Sequence, residues 1–396
     1  MFVLGTRPEV IKLAPVILRF RQSPRFLVHV CSTGQHREML TQALDTFDLA
    51  PDSELGVMTG NQALADLSSR TIAAIDTVYR TEKPALVFVQ GDTTTAMTAA
   101  LGSYYHRIPV AHVEAGLRTD NKLSPFPEEM NRRLIASIAD LHFAPTDRAR
   151  DNLMREGVGD GDIHVTGNTA IDALLLVIEK QRDRPLKLKT LAGATIDDDD
   201  LASKRLIVVT AHRRENHDAG LASICAAIVQ LASFPDAVVV FPVHLNPNVR
   251  AIVVPMLQMC SNVHLTDPLD YVTFCRLMAR SYLILTDSGG IQEEAPSLNR
   301  PILVLRDTTE RQEGITAGNA LLVGTAAEDI VRETKRLWND PALYMKMTQL
   351  RNPYGDGLAA ARIFDIVANR LGPIGILPPS AALQNDRRHS AGLTAQ

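Results

Sequence analysis

Short, fully apolar runs, each closed by glycine and polar residues and followed by a helical pattern, recur along this chain. That alternation restricts its fold more than any other feature. Runs at 2–4, 26–32, 85–90, 109–113, 141–144 and 163–165 occupy the first half, and runs at 206–210, 237–243, 263–265, 282–286 and 301–305 the second. Strands apolar on both faces, alternating with helices, call for parallel sheets covered on both sides. A length of 396 residues exceeds what one core usually serves. The stretch 181–204 is rich in charge and turn residues, including Asp197 to Asp200, and reads as a linker or surface loop. The predicted fold class is therefore α/β, with two Rossmann-like doubly wound domains at 1–180 and 205–356 facing a cleft. A last helix follows at 357–371, and the aperiodic tail at 372–396 is expected to be disordered.

Composition excludes several classes. A net charge of −4 leaves no footprint for nucleic acid or an anionic membrane surface, so any anion must be held by local groups. No apolar run approaches the roughly 20 residues of a membrane span, and the start lacks the pattern of a signal peptide. The four cysteines show no CxxC spacing and lie in or beside apolar segments, which predicts buried free thiols and a cytosolic protein.

Ligands of open α/β sheets bind at the carboxyl ends of the strands, and the polar residues of this chain gather there. Arg7, Glu9 and Lys12 follow the first run, and Gln35, His36 and Arg37 the second. Asp92 and Glu114 follow the next two. In the second half, His212, Arg213 and Arg214, then His244, then Asp287 and Ser288 occupy equivalent places. The segment YLILTDSGGIQEEAP (282–296) reads as strand, sharp turn and helix. Gly289 and Gly290 let an anion approach the main chain, and a helix start offers N–H donors with about half a positive charge. Taken alone, this stretch is equally compatible with a strand-to-helix turn that binds nothing.

No GxGxxG, P-loop lysine motif or metal-ligand spacing is present, so no cofactor or metal is expected. Three carboxylates on adjacent loops (Asp92, Glu114, Glu128), cations from both halves and an anion-seeking turn remain. That set suits making or breaking a bond to a nucleotide diphosphate, with carboxylates moving protons and cations stabilising the departing group.

The segments GTRPEVIKLAPV (5–16), STGQHREML (32–40), QGDTTTAMTAA (90–100), HVEAGLRT (112–119) and PFPEEMNRR (125–133) resemble the bacterial non-hydrolysing UDP-N-acetylglucosamine 2-epimerases. So do TAHRREN (210–216), PVHLNP (242–247), TDSGGIQEEAPSL (286–298), DTTERQEGI (307–315) and YGDGLAAARI (354–363). The likeness covers residues 4 to 370 in order. It implies the glycosyltransferase-B architecture, with the last helix returning to the first domain. It further implies interconversion of UDP-GlcNAc and UDP-ManNAc by elimination of UDP to 2-acetamidoglucal and re-addition, supplying ManNAc for surface polysaccharide. A homodimer is expected.

On that likeness Asp92, Glu114 and Glu128 lie near the sugar and His212 beside the diphosphate. Arg7, Lys12, Arg213 and the Ser288, Gly289 and Gly290 amides bind the substrate. Glu294 takes the ribose hydroxyls, and Phe274 and Arg311 line the nucleotide side. Gln35, His36, Arg70 and His244, with Arg213, would hold a second UDP-GlcNAc, where the charge of Glu38 opposes it. A UDP-sugar glycosyltransferase of the same architecture and a hydrolysing epimerase that releases ManNAc are the competing readings.

Overall fold

The computed structural model describes residues 1–34, 37–58, 62–211 and 219–372. Seven parallel strands form the first sheet: β1 (Phe2–Leu4), β2 (Val30–Ser32), β3 (Ser53–Glu54), β4 (Val87–Gln90), β5 (Val110–Val113), β6 (Leu141–Ala144) and β7 (Ile163–Val165), in the order β3-β2-β1-β4-β5-β6-β7. The short first strand sits between β2 and β4, with Phe2 paired to both Val30 and Phe88. The second run extends over Val30–Ser32 only. Phe26 turns its ring into a cluster with Phe20 and Phe364, at centroid distances of 4.9 and 5.7 Å, and leaves the sheet.

An antiparallel hairpin, β8 (Lys187–Lys189) and β9 (Thr195–Asp197), occupies the stretch expected to be a linker or loop. Its Asp197 side chain accepts the N–H groups of Asp199 and Asp200, so the acidic run starts a helical turn rather than a loop. The hairpin also fastens an edge: Leu191 N–H donates to Leu265 O at 2.7 Å, and Thr190 bridges Thr266. The second sheet then follows: β10 (Arg205–Thr210), β11 (Ala237–Pro242), β12 (Val263–Thr266), β13 (Leu283–Thr286), β14 (Ile302–Val304) and β15 (Ala320–Leu322), all parallel in the order β12-β11-β10-β13-β14-β15. Both β3 and β15 are edge strands of two or three residues, too short to leave an apolar run.

The domains meet on one side through packed apolar residues. Helix Thr169–Lys180 of the first domain packs on helix Tyr271–Arg280 of the second, and Leu174, Val177, Cys275 and Met278 belong to one buried cluster. The last helix, Ala359–Arg370, lies on the first domain against helix Arg7–Arg21, with Phe364 5.1 Å from Phe20. No helix among the described residues is long and apolar enough to cross a membrane. The predicted disordered tail lies, beyond Gly372, outside the described residues, and all four cysteines are unpaired.

Candidate functional site

The first domain builds its wall from the ends of β1, β4 and β5. After β1 the chain turns sharply at Gly5, where an added Cβ would meet Thr33 Oγ1 at 2.2 Å, and enters helix Arg7–Arg21. Glu9, one of the polar residues expected in the cleft, is fully buried and fastens this turn instead. One of its oxygens accepts the Gly5 and Thr6 N–H groups at 2.9 and 2.7 Å, and the other accepts the Thr93 hydroxyl at 2.6 Å. Burial pushes its carboxyl up. Arg7 is left exposed at the helix start.

One turn later Lys12 reaches Glu114 and donates to Oε1. Glu114 ends β5 with φ of 65°, a conformation that side chains other than glycine adopt only under local constraint. Gln90, at the end of β4, donates to its second oxygen. Both oxygens are thus engaged, and the side chain is 7% exposed. Burial works against the Lys12 charge, but Glu114 and then Glu293 outweigh it and raise its pKa.

Asp92 is fixed as firmly. Arg132 donates to its carboxylate from Nε at 2.9 Å and Nη2 at 2.7 Å, and Asn131 Nδ2 donates to its carbonyl at 2.8 Å. Both partners lie on helix Glu128–Ile138. Glu129 of that helix is fully buried and accepts Thr119 N–H and Arg132. Burial would raise its pKa, but those donors prevail and hold it below the ordinary value. Glu128 opens the helix, and its Oε2 is buried with no hydrogen-bond partner among the described residues. Behind this wall the His112 ring lies 2.7 Å from the Gly91 carbonyl through Nε2, which therefore carries the proton. Burial pushes its pKa down to about 3.

The second domain contributes the turn after β13. Ser288 N–H donates to Thr286 Oγ1 at 3.0 Å, and Ser288 precedes helix Gly289–Glu294 without a side-chain capping bond. That helix is only six residues long and passes into a 3-10 turn, so individual N–H groups rather than a long dipole carry positive character here. At Gly289 an added Cβ would sit 3.5 Å from Arg311 Cζ, so the guanidinium lies over the turn. Arg311 donates to Glu293, and its pKa stands above normal because Glu293, Glu310 and Glu114 outweigh the cost of burial. Glu294 is pushed up to about 8, first by burial and then by the charge of Glu293. Phe274 lies half-buried on helix Tyr271–Arg280, one turn from Tyr271, whose hydroxyl is buried.

Lys12, Glu114, Glu293 and Arg311 thus lie within electrostatic reach of one another across the two domains. Beside them a cavity of about 640 Å³ opens between the domains, lined by Arg118, Arg132, Arg306 and Arg311 among others. Thr146 spans it by donating to Glu313 at 3.1 Å. Arg70 and His244 are both exposed, and His244 Nδ1 accepts Asn246 N–H at 3.1 Å. His212, Arg213, Gln35 and His36 lie outside the described residues, as does the side chain of Glu38. No group of three or more metal-ligating side chains occurs among the described residues. Sequence reasoning missed Gln90, Arg132, Glu293 and Asn168 as members of the site; the first three lay in plain view inside the motifs.

Comparison with known proteins places this architecture. The family model for UDP-N-acetylglucosamine 2-epimerase matches residues 18–368. The chain is 48% identical to the UDP-N-acetylglucosamine 2-epimerase of Yersinia pestis over 370 residues, 93% of this chain and 97% of that one. It is 47% identical to that of Bacillus subtilis over 366 residues, covering 92% and 93%. Among solved structures, the Neisseria meningitidis UDP-GlcNAc 2-epimerase bound to UDP-GlcNAc is similar with TM-score 0.80 and 43% identity, over 92% of this chain and 98% of that one. The Methanocaldococcus jannaschii enzyme in complex with UDP-GlcNAc and UDP is similar with TM-score 0.72 and 31% identity, over 94% and 99%.

Proposed function

Because the chain belongs to the UDP-N-acetylglucosamine 2-epimerase family, we propose that it interconverts UDP-GlcNAc and UDP-ManNAc without hydrolysis, as an isomerase that supplies ManNAc for surface polysaccharide. The observation that carries this reading is the meeting of two chemistries at one place. The Lys12–Glu114 pair of the first domain shares its electrostatic field with Arg311, which lies over the Gly289 turn of the second.

The C2 proton of the sugar is not activated by a neighbouring carbonyl, so its loss must accompany or follow departure of UDP from C1. The C1–O bond breaks with its electron pair going to UDP, the C2 proton passes to a carboxylate, and a C1–C2 double bond remains. Re-addition of UDP to C1 with proton delivery to the opposite face of C2 completes the inversion. Arg7, Arg311 and the amides at Ser288, Gly289 and Gly290 are suited to stabilise the departing diphosphate, a role that the family likeness extends to His212 and Arg213. Glu294 would receive the ribose hydroxyls and Phe274 would face the nucleotide.

Among the three carboxylates, Asp92 is engaged by Arg132, and Glu114 by Lys12 and Gln90. Glu128 keeps a buried oxygen without a partner among the described residues, and we assign proton exchange with the sugar to it. The family likeness extends this reading to a second UDP-GlcNAc next to the site, with Gln35, His36, Arg70 and His244 as its candidate ligands. A homodimer is supported by Tyr104, Tyr105, Met130 and Leu134, exposed on the adjacent helices Thr94–Tyr105 and Glu128–Ile138.

The test is incubation of the protein with UDP-GlcNAc alone in D2O, with products resolved by NMR. UDP-ManNAc carrying deuterium at C2 is the expected product. Free ManNAc with UDP would indicate a hydrolysing enzyme, and no change without an acceptor would indicate a glycosyltransferase.

A further inference from the structure

A buried carboxylate is tolerated only when its lone pairs are met, since its desolvation alone costs several kcal/mol. Glu293 is such a group: its side chain is 5% exposed, and burial is the largest influence raising its pKa. One oxygen accepts from Arg311 Nε of its own domain. The other accepts from Nδ2 of Asn168, a first-domain residue, at 2.7 Å in a buried contact. Asn168 has no freedom to turn. Its Oδ1 accepts Ala170 N–H at 2.9 Å as the cap of helix Thr169–Lys180, which commits the amide nitrogen to Glu293.

The contact closes into a ring. Asn168 N–H donates to the Tyr354 carbonyl at 2.8 Å, in the segment where the chain returns to the first domain. The Tyr354 hydroxyl donates to the Arg311 carbonyl at 2.9 Å and accepts Gly314 N–H at 2.9 Å. Asn352 Nδ2 donates to the Glu293 carbonyl at 2.8 Å. Arg311 is therefore held twice, by its main chain through Tyr354 and by its guanidinium through Glu293, and both anchors lead to Asn168. Lys12, Glu114 and Glu294 are the other charged groups whose fields reach Glu293 or that it acts on.

We propose that Glu293 and Asn168 are a positioning pair across the domain boundary, which sets the Arg311 guanidinium over the Ser288–Gly290 turn so that the diphosphate is gripped only when the two domains are apposed. This rests on the reading of Arg311 as a diphosphate ligand. Neither residue of the pair touches substrate; each acts through Arg311.

UDP affinity, measured by calorimetry on the full chain, tests it. Asn168→Ser keeps a helix cap and deletes only the donor to Glu293. Glu293→Gln forces an N–H group against either Asn168 or Arg311. Each should weaken UDP binding about tenfold, the scale of one lost hydrogen bond to a charge, while moving the thermal midpoint by less than about 4 °C. The double variant Asn168→Asp with Glu293→Gln reverses the donor and acceptor between the two side chains and still offers an oxygen to Arg311. It should return the affinity to within about threefold of the wild type. A merely structural contact would not link UDP affinity to that reversal. Wild-type affinity in Asn168→Ser, or a double variant no tighter than the weaker single, overturns the proposal. Should Glu293→Gln fail to fold, Asn168→Ser and the double variant still decide it. If the wild type binds UDP yet makes no UDP-ManNAc, the epimerase reading fails while the affinities still judge the pair.

Discussion

On the first-domain side of the cleft, Asp92 and Glu114 stand at the ends of buried strands and take their donors, Arg132, Lys12 and Gln90, from the same domain. On the second-domain side, Glu293 and Glu294 lie on a six-residue helix, both have raised pKa values from burial, and Glu293 is satisfied only with the help of Asn168 from the opposite domain. One wall is preorganised by its own fold, and the other is completed by apposition. The proposed elimination suits that division. Charged groups beside the reacting sugar must be aimed before the substrate arrives, because small misplacements cost rate steeply. The anion grip must open and close for UDP-sugar to enter and leave.

The sharpest way to break this comparison is to remove the charges of the rigid wall. Glu114→Gln or Asp92→Asn should lower turnover about a hundredfold or more, as loss of acid–base or charge-stabilising groups generally does. UDP affinity should stay within about twofold, because neither carboxylate belongs to the anion grip. Steady-state turnover and calorimetry on the same preparations check both halves. A large loss of UDP affinity would mean that the two walls are not separable.

A milder change tests whether the donors, rather than the strand ends alone, do the aiming. Gln90→Met keeps the buried volume and removes only the donor to Glu114. Turnover should fall about tenfold, consistent with one hydrogen bond to a charged group. UDP affinity should stay within about twofold, because the lost bond lies within the first-domain wall. Unchanged turnover would assign the aiming of Glu114 to its positive φ and to Lys12.

The second-domain wall makes a pH prediction. Glu294 is pushed up to about 8 from an ordinary 4.5, so the free protein keeps it protonated through neutral pH. Ribose hydroxyls donating to its carboxylate would favour the charged form, and UDP binding should then release a proton below about pH 8. Affinity should therefore rise by up to about tenfold per pH unit between pH 6 and 8 and level off above, as linkage requires. The sign for stability is the reverse: a raised folded pKa gives stability that is full at low pH and lost as pH rises toward about 8. Glu294→Gln should flatten both trends, and a pH-independent affinity in the wild type would count against the ribose role.

Much of the rigid wall was legible in the sequence. Apolar runs followed by Asp92 and Glu114 betray both the strands and the direction of the site, because buried parallel strands are mostly apolar and their charged residues gather at the carboxyl ends. Their partners were not legible. Gln90 reads as the last residue of a strand, and nothing in spacing says that its amide meets Glu114, 24 positions on, rather than solvent. Glu9 misled for the converse reason: a carboxylate after a strand is equally a cap, and this one fastens Gly5 and Thr6. The hairpin at 187–197 escaped because its strands alternate polar and apolar residues over only three positions each. The Asn168–Glu293 contact joins residues 125 positions apart in different domains, and only the packed structure brings them together.

The smallest expected effect concerns what keeps the two walls in register. Asp172, in helix Thr169–Lys180, accepts Ala360 N–H at 2.8 Å and Ala359 N–H at 3.3 Å, and so caps the returning helix Ala359–Arg370 from another part of the chain. Sequence analysis cannot see such a cap, because the residue preceding the helix, Leu358, has no capping side chain. Asp172→Ala leaves two helix-start donors without their acceptor and should cost about 1 kcal/mol in unfolding free energy, read by chemical denaturation. Burial pushes this carboxyl up to about 6, so its contribution is full below its unfolded pKa and declines as pH rises toward 6. Acid alone should therefore not detach the helix. Asp172→Asn keeps an acceptor oxygen, should lie within about 0.5 kcal/mol of the wild type, and should lose that pH dependence. If Asp172→Ala instead lowers UDP affinity severalfold at unchanged stability, the register of the second-domain wall depends on this cap as well as on Asn168 and Glu293.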